Sequence, residues 1–527
     1  MTGGGVGILL RIQARAQWRR ATVWVLAMVA SMAFTALAVA GLYDTPAKVA
    51  SYGEAVVSDA LVAINGHVEG IDTLGGIVQD EFGFMGSFLL PLMGLALVAA
   101  MTRTEEESGR LESLLAGRVG RTAPVVTSLV IATVAIVAMV VGFVVSLLAS
   151  GIDPADAVLY SLASGMVSLV FATVAATAAQ VVLHGRGVYM IGFAVIGLSY
   201  VLRGVGDVRD SFWVWLSPLG WLEKTAPFAD QQRWWVLLIP AAVSAALAAA
   251  ALTLAARRDL GASLYRPGPG PAAASRRLLG PVGLAIHGQR GAFLGWLVGS
   301  VLLAAVMGAL AQEMVDAALG NPDLSRALGI TEGDVVDGFL AVVQFYLAIV
   351  AAGYLVQSLG TLRHEEVGGR LEPMLAGGLS RPRWLAAQVA VMLGGLVVVV
   401  VVSAVVFGAT TALSTGESGY VGTLVGAGVA YLPAELLVGA VGAFLFGLAP
   451  RMFGLTWLLF GLVAAIGLLG PGLQLAQWIQ DLSPLTHVGN PPSGTVEAGQ
   501  LIGLAVAAAL LGVGAFVGFR RRRIPQG

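Results

Sequence analysis

The sequence predicts an all-α polytopic membrane protein with about twelve transmembrane helices, arranged as two tandem six-helix repeats. Three observations carry this expectation. Hydrophobic residues fill 57% of the 527 positions and charged residues only 12%, against about 25% charged in an ordinary soluble domain. Apolar stretches of about 20 residues, enough for a helix to cross a bilayer core, recur along the whole chain. One charged segment is also written twice, at a constant offset of 260 residues. A chain this apolar cannot cover itself with polar surface, so its solvent is lipid.

Read in order, the first half supplies spans at 22–41, 86–102, 124–149, 157–183, 188–202 and 236–256, and the second at 292–312, 338–360, 385–413, 421–449, 452–472 and 498–519. Ahead of the first span, VGILLRIQARAQWRR places Arg11, Arg15 and Arg19 on one helical stripe and Ile8, Leu9 and Ile12 on another. That pattern predicts a basic amphipathic helix in the headgroup region. The first apolar stretch lacks a convincing cleavage site and is expected to stay as a signal anchor. Between the halves, RPGPGPAAASRR punctuates a polar stretch that reads as a linker. The expected organisation is a first six-helix half over 1–256, a linker over 257–291 and a second half over 292–527.

Charge placement tests the count. With the N-terminus in the cytoplasm, 24 of the 30 basic residues fall on the cytoplasmic side, as the positive-inside rule requires. Losing one span would reverse the bias downstream of it. Both termini are therefore expected in the cytoplasm.

The repeat is RTEEESGRLESLLAGRVGR (103–121) against RHEEVGGRLEPMLAGGLSR (363–381), identical at 11 of 19 positions without a gap. Both copies follow the second span of their half. Glu106 and Arg110, like Glu366 and Arg370, are four apart and spaced for a helix-surface ion pair. Leu111, Leu114 and Leu115, and Leu371, Met374 and Leu375, form the matching apolar stripes. Setting topology needs arginine alone; it does not need Glu-Glu, Gly, Leu-Glu and Leu-Ala-Gly at fixed spacing. A patch kept twice points to docking on a partner that is itself twofold. A second echo, WLSPL (215–219) and DLSPL (481–485), precedes the last span of each half.

On these residues the chain resembles the membrane subunits of ABC-2 type exporters (the type V exporter architecture), in particular the duplicated actinobacterial kind that exports polyketide antibiotics. The likeness covers the whole chain: two six-span halves, a basic N-terminal elbow, the EExxGRLExLLA loop and a Ser-Pro loop before each last span. In that family the loop is a coupling helix seated on an ATPase. The resemblance thus implies that Glu105, Glu106, Arg110, Leu111 and Glu112 contact one ATPase copy. Glu365, Glu366, Arg370, Leu371 and Glu372 would contact the other. It also implies residence in a bacterial plasma membrane and export of a hydrophobic or amphipathic compound. Glu107 and Ser108 stand where the second copy has Val367 and Gly368, so the two contacts need not be equivalent.

The chain carries no GxxxxGK[ST] loop, and its only lysines, Lys48 and Lys224, lie in neither such context. ATP and Mg are therefore expected to be used by the partner ATPase, in two copies, and no cofactor by this chain. The alternative is a proton-coupled carrier. Glu435, in YLPAELL beside Pro433, is the one carboxyl expected at mid-membrane, where ionisable groups mark transport paths; it either faces cargo or packs between helices. An enzyme is disfavoured: cysteine is absent, the five histidines show no metal-ligand spacing, and no nucleophile constellation appears. No metal and no nucleic-acid partner are expected. Residues 212–235 and 478–492, rich in Trp and Pro, read either as an aromatic belt at headgroup level or as short helices that cap the path from outside. Trp215, Pro218, Trp478 and Pro484 are the candidate gate residues.

Overall fold

Backbone N–H and C=O groups find no partner in hydrocarbon, so a chain of this composition must satisfy them within each segment, as helix. The computed structural model describes residues 4–55, 59–107, 109, 120–259, 262–264, 272–312, 335–469 and 476–522, and among them regular structure is helical throughout. The chain divides into two compact units, 1–270 and 271–527.

The first unit contains α1 (Gly4–Leu42), α2 (Leu74–Met101), α3 (Ala123–Ala149), α4 (Pro154–Val181), α5 (Gly185–Val208) and α6 (Leu238–Arg257). The second contains α7 (Pro281–Ala309), α8 (Val335–Val367), α9 (Arg381–Thr415), α10 (Tyr420–Leu448), α11 (Leu455–Leu469) and α12 (Ala498–Arg521). Eleven of these are long and apolar enough to cross a membrane. The twelfth is α11, whose 15 described residues span about 22 Å; the rest of the span predicted at 452–472 runs into residues 470–475, outside the described residues. The chain is a multi-pass membrane protein.

Each unit is organised around its second helix. In the first, α2 and α4 are the most buried spans, and α1 packs on α3 while α4 packs on α6. In the second, α8 is the most buried, α7 packs on α9 and α10 on α12. Close approach depends on particular glycines. A Cβ on Gly94 of α2 would lie 2.0 Å from the Ser168 carbonyl of α4, and the Ser168 hydroxyl donates to the Leu90 carbonyl at 2.9 Å across the same contact. Outward faces are apolar: α3 exposes Val130, Val134, Val137, Val141, Val145 and Leu148 at helical spacing and buries Ala132, Ile136, Met139 and Phe143. Such a stripe belongs against lipid tails.

Several boundaries correct the expectations from sequence. The amphipathic N-terminal segment is continuous with the first span in one 39-residue helix; residues 11–24 hold no Gly or Pro to break it. Leu9 and Gln13 are buried on it, and Gln13 donates to the Met101 carbonyl and accepts from the Thr127 hydroxyl. α2 begins twelve residues earlier than the predicted 86–102 span, capped by the Thr73 hydroxyl. It carries Asp80 inside because the Tyr52 hydroxyl (2.7 Å) and Asn65 Nδ2 (3.2 Å) donate to that carboxylate. α7 starts within the predicted linker, with Pro281 at its first turn. The glycines Gly291, Gly295 and Gly299, spaced for close helix contact, face nothing within 4 Å.

Candidate functional site

The repeated segment follows directly from α2 and α8. The first copy is described at residues 103–107, 109, 120 and 121; Arg110, Leu111 and Glu112 lie outside the described residues. After the last helical turn, Gly109 and Gly369 take the same left-handed conformation, φ +72° and +68°, which glycine adopts without steric cost. Each donates its N–H to the carbonyl of the glutamate three residues back, Glu106 or Glu366, at 3.1 Å. In the second copy a short helix, Leu371–Ala376, follows. Leu371 is fully buried, and Met374 and Leu375 pack beside it against a core that includes Trp384, Phe446 and Phe519. Glu372 points to solvent.

Glu366 does not make the predicted pair with Arg370 four residues on, and Arg110, the predicted partner of Glu106, lies outside the described residues. Arg370 instead pairs with Glu365 at 2.8 Å, half exposed, an arrangement that raises the guanidinium pKa through the Glu365 hydrogen bond. Glu366 is buried. Its carboxylate receives Arg363 at 3.0 Å and, in bidentate fashion, Arg522 at 2.6 and 2.9 Å. Glu106 does the same in the first unit: Arg103 at 2.6 Å, and both terminal nitrogens of Arg258 at 3.1 and 2.9 Å. Two parallel N–H···O bonds to one carboxylate form the stronger and more directional kind of ion pair. Glu106 and Glu366 thus turn into their own units, and Leu371 does likewise because its apolar side chain has a core to enter.

Arg258 and Arg522 hold equivalent positions. Each is the C-cap of the last helix of its unit, extended in backbone, with its N–H on the carbonyl four residues back, Leu254 or Gly518. Each node also reaches the fourth helix of its unit. Arg103 donates to the Val182 carbonyl, the C-cap of α4, at 2.7 Å and to Ala262 at 2.8 Å. Arg522 lies over the rings of Phe446 in α10 and Phe519 in α12, at 5.0 and 4.9 Å. One signal of this node is legible in the sequence, an arginine at the end of the last span of each half, and there it is indistinguishable from ordinary positive-inside charge.

At the other end of each unit, the Ser-Pro pairs begin short helices. Ser217 is buried, accepts from Leu219 and Gly220 at the start of Pro218–Lys224, and donates to the Ser199 carbonyl of α5 at 2.7 Å. Ser483, also buried, precedes a turn of helix at Pro484–Val488 and donates to the Val463 carbonyl of α11 at 3.2 Å. The Ser-Pro element of each unit is therefore hooked to its fifth helix. Trp215 stacks on Trp235 at 5.9 Å and accepts from the Trp221 indole through its carbonyl; Trp478 is largely exposed.

This end of the first unit also holds a buried arginine, one residue past the span predicted over 188–202. Arg203 of α5 donates to the carbonyls of Ala63, Ile64 and Asn65, to the Ser87 hydroxyl at 2.9 Å and to Glu223 at 3.4 Å. It closes the C-terminal end of the helix Asp59–Asn65 and stands over the Tyr200 ring. Burial pushes the Glu223 carboxyl well above the usual range, with Asp207 adding to the shift and Arg203 opposing it. Beside them Gln79, Ser87 and Tyr160 line a cavity of ≈ 30 Å³, the space of a water molecule and too small for a drug-sized compound. In the second unit Glu435 is buried in α10, one turn from Tyr431, and the described residues place no arginine or lysine against it.

Two comparisons place the chain. The family model described as "Multidrug efflux system permease Rv1217c, C-terminal domain" matches residues 278–520. The chain is also 35% identical, over 524 residues, to the multidrug efflux system permease protein Rv1217c of Mycobacterium tuberculosis (strain ATCC 25618 / H37Rv). That alignment covers 98% of this chain and 94% of the relative.

Proposed function

This chain belongs to the multidrug efflux permease family of Rv1217c, and on that premise we propose that it is the membrane subunit of an ABC-2 type exporter. Two copies of a separate ABC ATPase sit beneath its two halves. They use ATP and Mg, while this chain provides the path for a hydrophobic or amphipathic compound leaving a bacterial cell. The motif loops, both termini and the linker face the cytoplasm, where the basic residues collect; the Trp-rich Ser-Pro elements face outward and gate the path.

The observation that carries the reading is the motif loop itself. Its copy at 363–381 is anchored by Glu366 and Leu371 and leaves Arg370 and Glu372 outward, a fixed presentation of charge suited to a docking partner. Glu365, partly exposed and paired with Arg370, belongs to the same outward set.

The test is co-expression with candidate bacterial ABC ATPases, followed by purification from membranes and measurement of subunit ratio, ATP turnover and ethidium efflux. Two ATPases per chain are expected, with association weakened by Arg370→Ala/Glu372→Ala. An isolated chain that retains no ATPase, with efflux abolished by a protonophore and indifferent to vanadate, would overturn the reading in favour of proton coupling through Glu435.

A further inference from the structure

We propose that Arg258 and Arg522 are the positioning residues that pass movement of each motif loop to the last helix of its unit. The inference rests on the loops being the sites at which an ATPase acts, and it assigns the next link inward.

The argument begins with chain distance. Arg258 is 152 residues from Glu106, and Arg522 is 156 from Glu366, so neither pair is a by-product of helical periodicity. Each unit nevertheless builds the same arrangement: a glutamate in the helical turn that ends the second helix (Glu366) or directly follows it (Glu106, in Arg103–Glu107), an arginine three residues before it, and the C-cap arginine of the sixth helix in bidentate contact. The rest of the two units is not so alike. The buried Arg203–Glu223 pair belongs to the first, where the sequence aligned with Arg203 in the second falls near Leu469.

Geometry makes the joint stiff. A bidentate pair resists rotation as well as separation, and the Glu366 side chain is fully enclosed while that of Arg522 is 10% exposed. A partly desolvated ion pair of this kind cannot be traded freely for water. On the arginine side the backbone is committed too, since the N–H of Arg258 or Arg522 closes the last turn of its own helix. A displacement of the glutamate therefore acts on the helix end and not on a loose side chain. The third strand of each joint, Val182 for α4 and Phe446 for α10, makes the ends of the second, fourth and sixth helices move together. In both units a left-handed glycine three residues after the glutamate ends the helical turn, its N–H on the glutamate carbonyl.

The experiment uses the full chain with the ABC ATPase that co-purifies with it and compares Arg258→Ala, Arg522→Ala, the double variant and the corresponding Arg→Lys changes. Three quantities are read: ATPase copies per chain, basal ATP turnover, and ethidium-stimulated turnover with efflux. The expected result is an unchanged subunit ratio and basal turnover within twofold of wild type. Stimulation and efflux should fall about tenfold in the double variant, with partial recovery in the lysine forms, which keep the charge and lose the second N–H···O bond. Efflux within twofold of wild type in the double variant overturns the proposal. Loss of bound ATPase in parallel with efflux also overturns it, because the joint would then only shape the docking surface. Should the alanine forms fail to reach the membrane, the lysine forms decide by the same criteria. A wild-type chain that binds no ATPase removes the premise, and that outcome is visible before any variant is made.

Discussion

Replacing Arg203 by methionine should unlock the end of the first unit opposite the motif loop. The side chain is 1% exposed and holds five partners: three carbonyls at the end of Asp59–Asn65, the Ser87 hydroxyl and Glu223. Methionine fills most of the volume and supplies none of the donors. The three carbonyls that lose a donor cost on the order of 1 kcal/mol each, and Glu223, whose carboxyl burial already raises, loses the guanidinium beside it. Taking the carbonyls alone, about 3 kcal/mol, and about 2–4 °C per kcal/mol for a unit of this size, the melting midpoint in detergent should drop by at least about 6 °C. Tryptophan fluorescence is the readout, since Trp221 is two residues from Glu223, and Trp213, Trp215, Trp234 and Trp235 share the segment between α5 and α6. Adding Glu223→Gln should recover part of the loss by removing the stranded carboxylate. A single variant that melts within about 1 °C of wild type refutes the reasoning, and so does a double variant less stable than the single.

Glu223 gives the same region a pH dependence. Its carboxyl is raised by burial in the folded state, so between the ordinary carboxyl range and that higher value the native protein binds more protons than the unfolded chain, and stability falls as pH rises. Melting curves across that interval should slope downward for wild type, by up to about 1.4 kcal/mol per pH unit, and flatten in Glu223→Gln. Gly94→Ala should separate α2 from α4, since its Cβ would meet the Ser168 carbonyl at 2.0 Å, whereas Gly295→Ala meets nothing; a loss of folded yield confined to the first of these checks the packing. Glu435→Gln keeps the shape of a buried side chain and removes only its capacity to ionise. Efflux in that variant should stay within about twofold of wild type, measured as ethidium extrusion at fixed ATP, and a larger loss would assign the carboxyl a role in transport.

The residues that could be read correctly from sequence are those whose reasons are local. Span composition, the Ser-Pro turns and the doubled motif all declare themselves within a few residues, because hydropathy, capping and turn formation are short-range. Where local signals mislead, the cause can be named. The span over 188–202 was cut at Arg203, and that over 86–102 began after Asp80 and Glu81, because charge lowers hydropathy. Arg203 and Asp80 are nonetheless buried in the fold: carbonyls of residues 63–65 receive Arg203, and Tyr52 and Asn65 donate to Asp80. Glu366 was read toward Arg370 by helical spacing, but the helix ends at Val367 and the carboxylate meets Arg522 instead.

Composition alone puts this chain in lipid and counts its apolar stretches, and plain comparison of the two halves finds one charged motif written twice. The first two follow from the free energy of placing backbone and side chains in hydrocarbon, which is additive along the chain. Which members of that motif face outward, and which are held by the last helix of their unit, is settled by packing. That choice depends on a glutamate and an arginine more than 150 residues apart coming within hydrogen-bond distance, and a contact of that kind leaves no periodicity in the sequence.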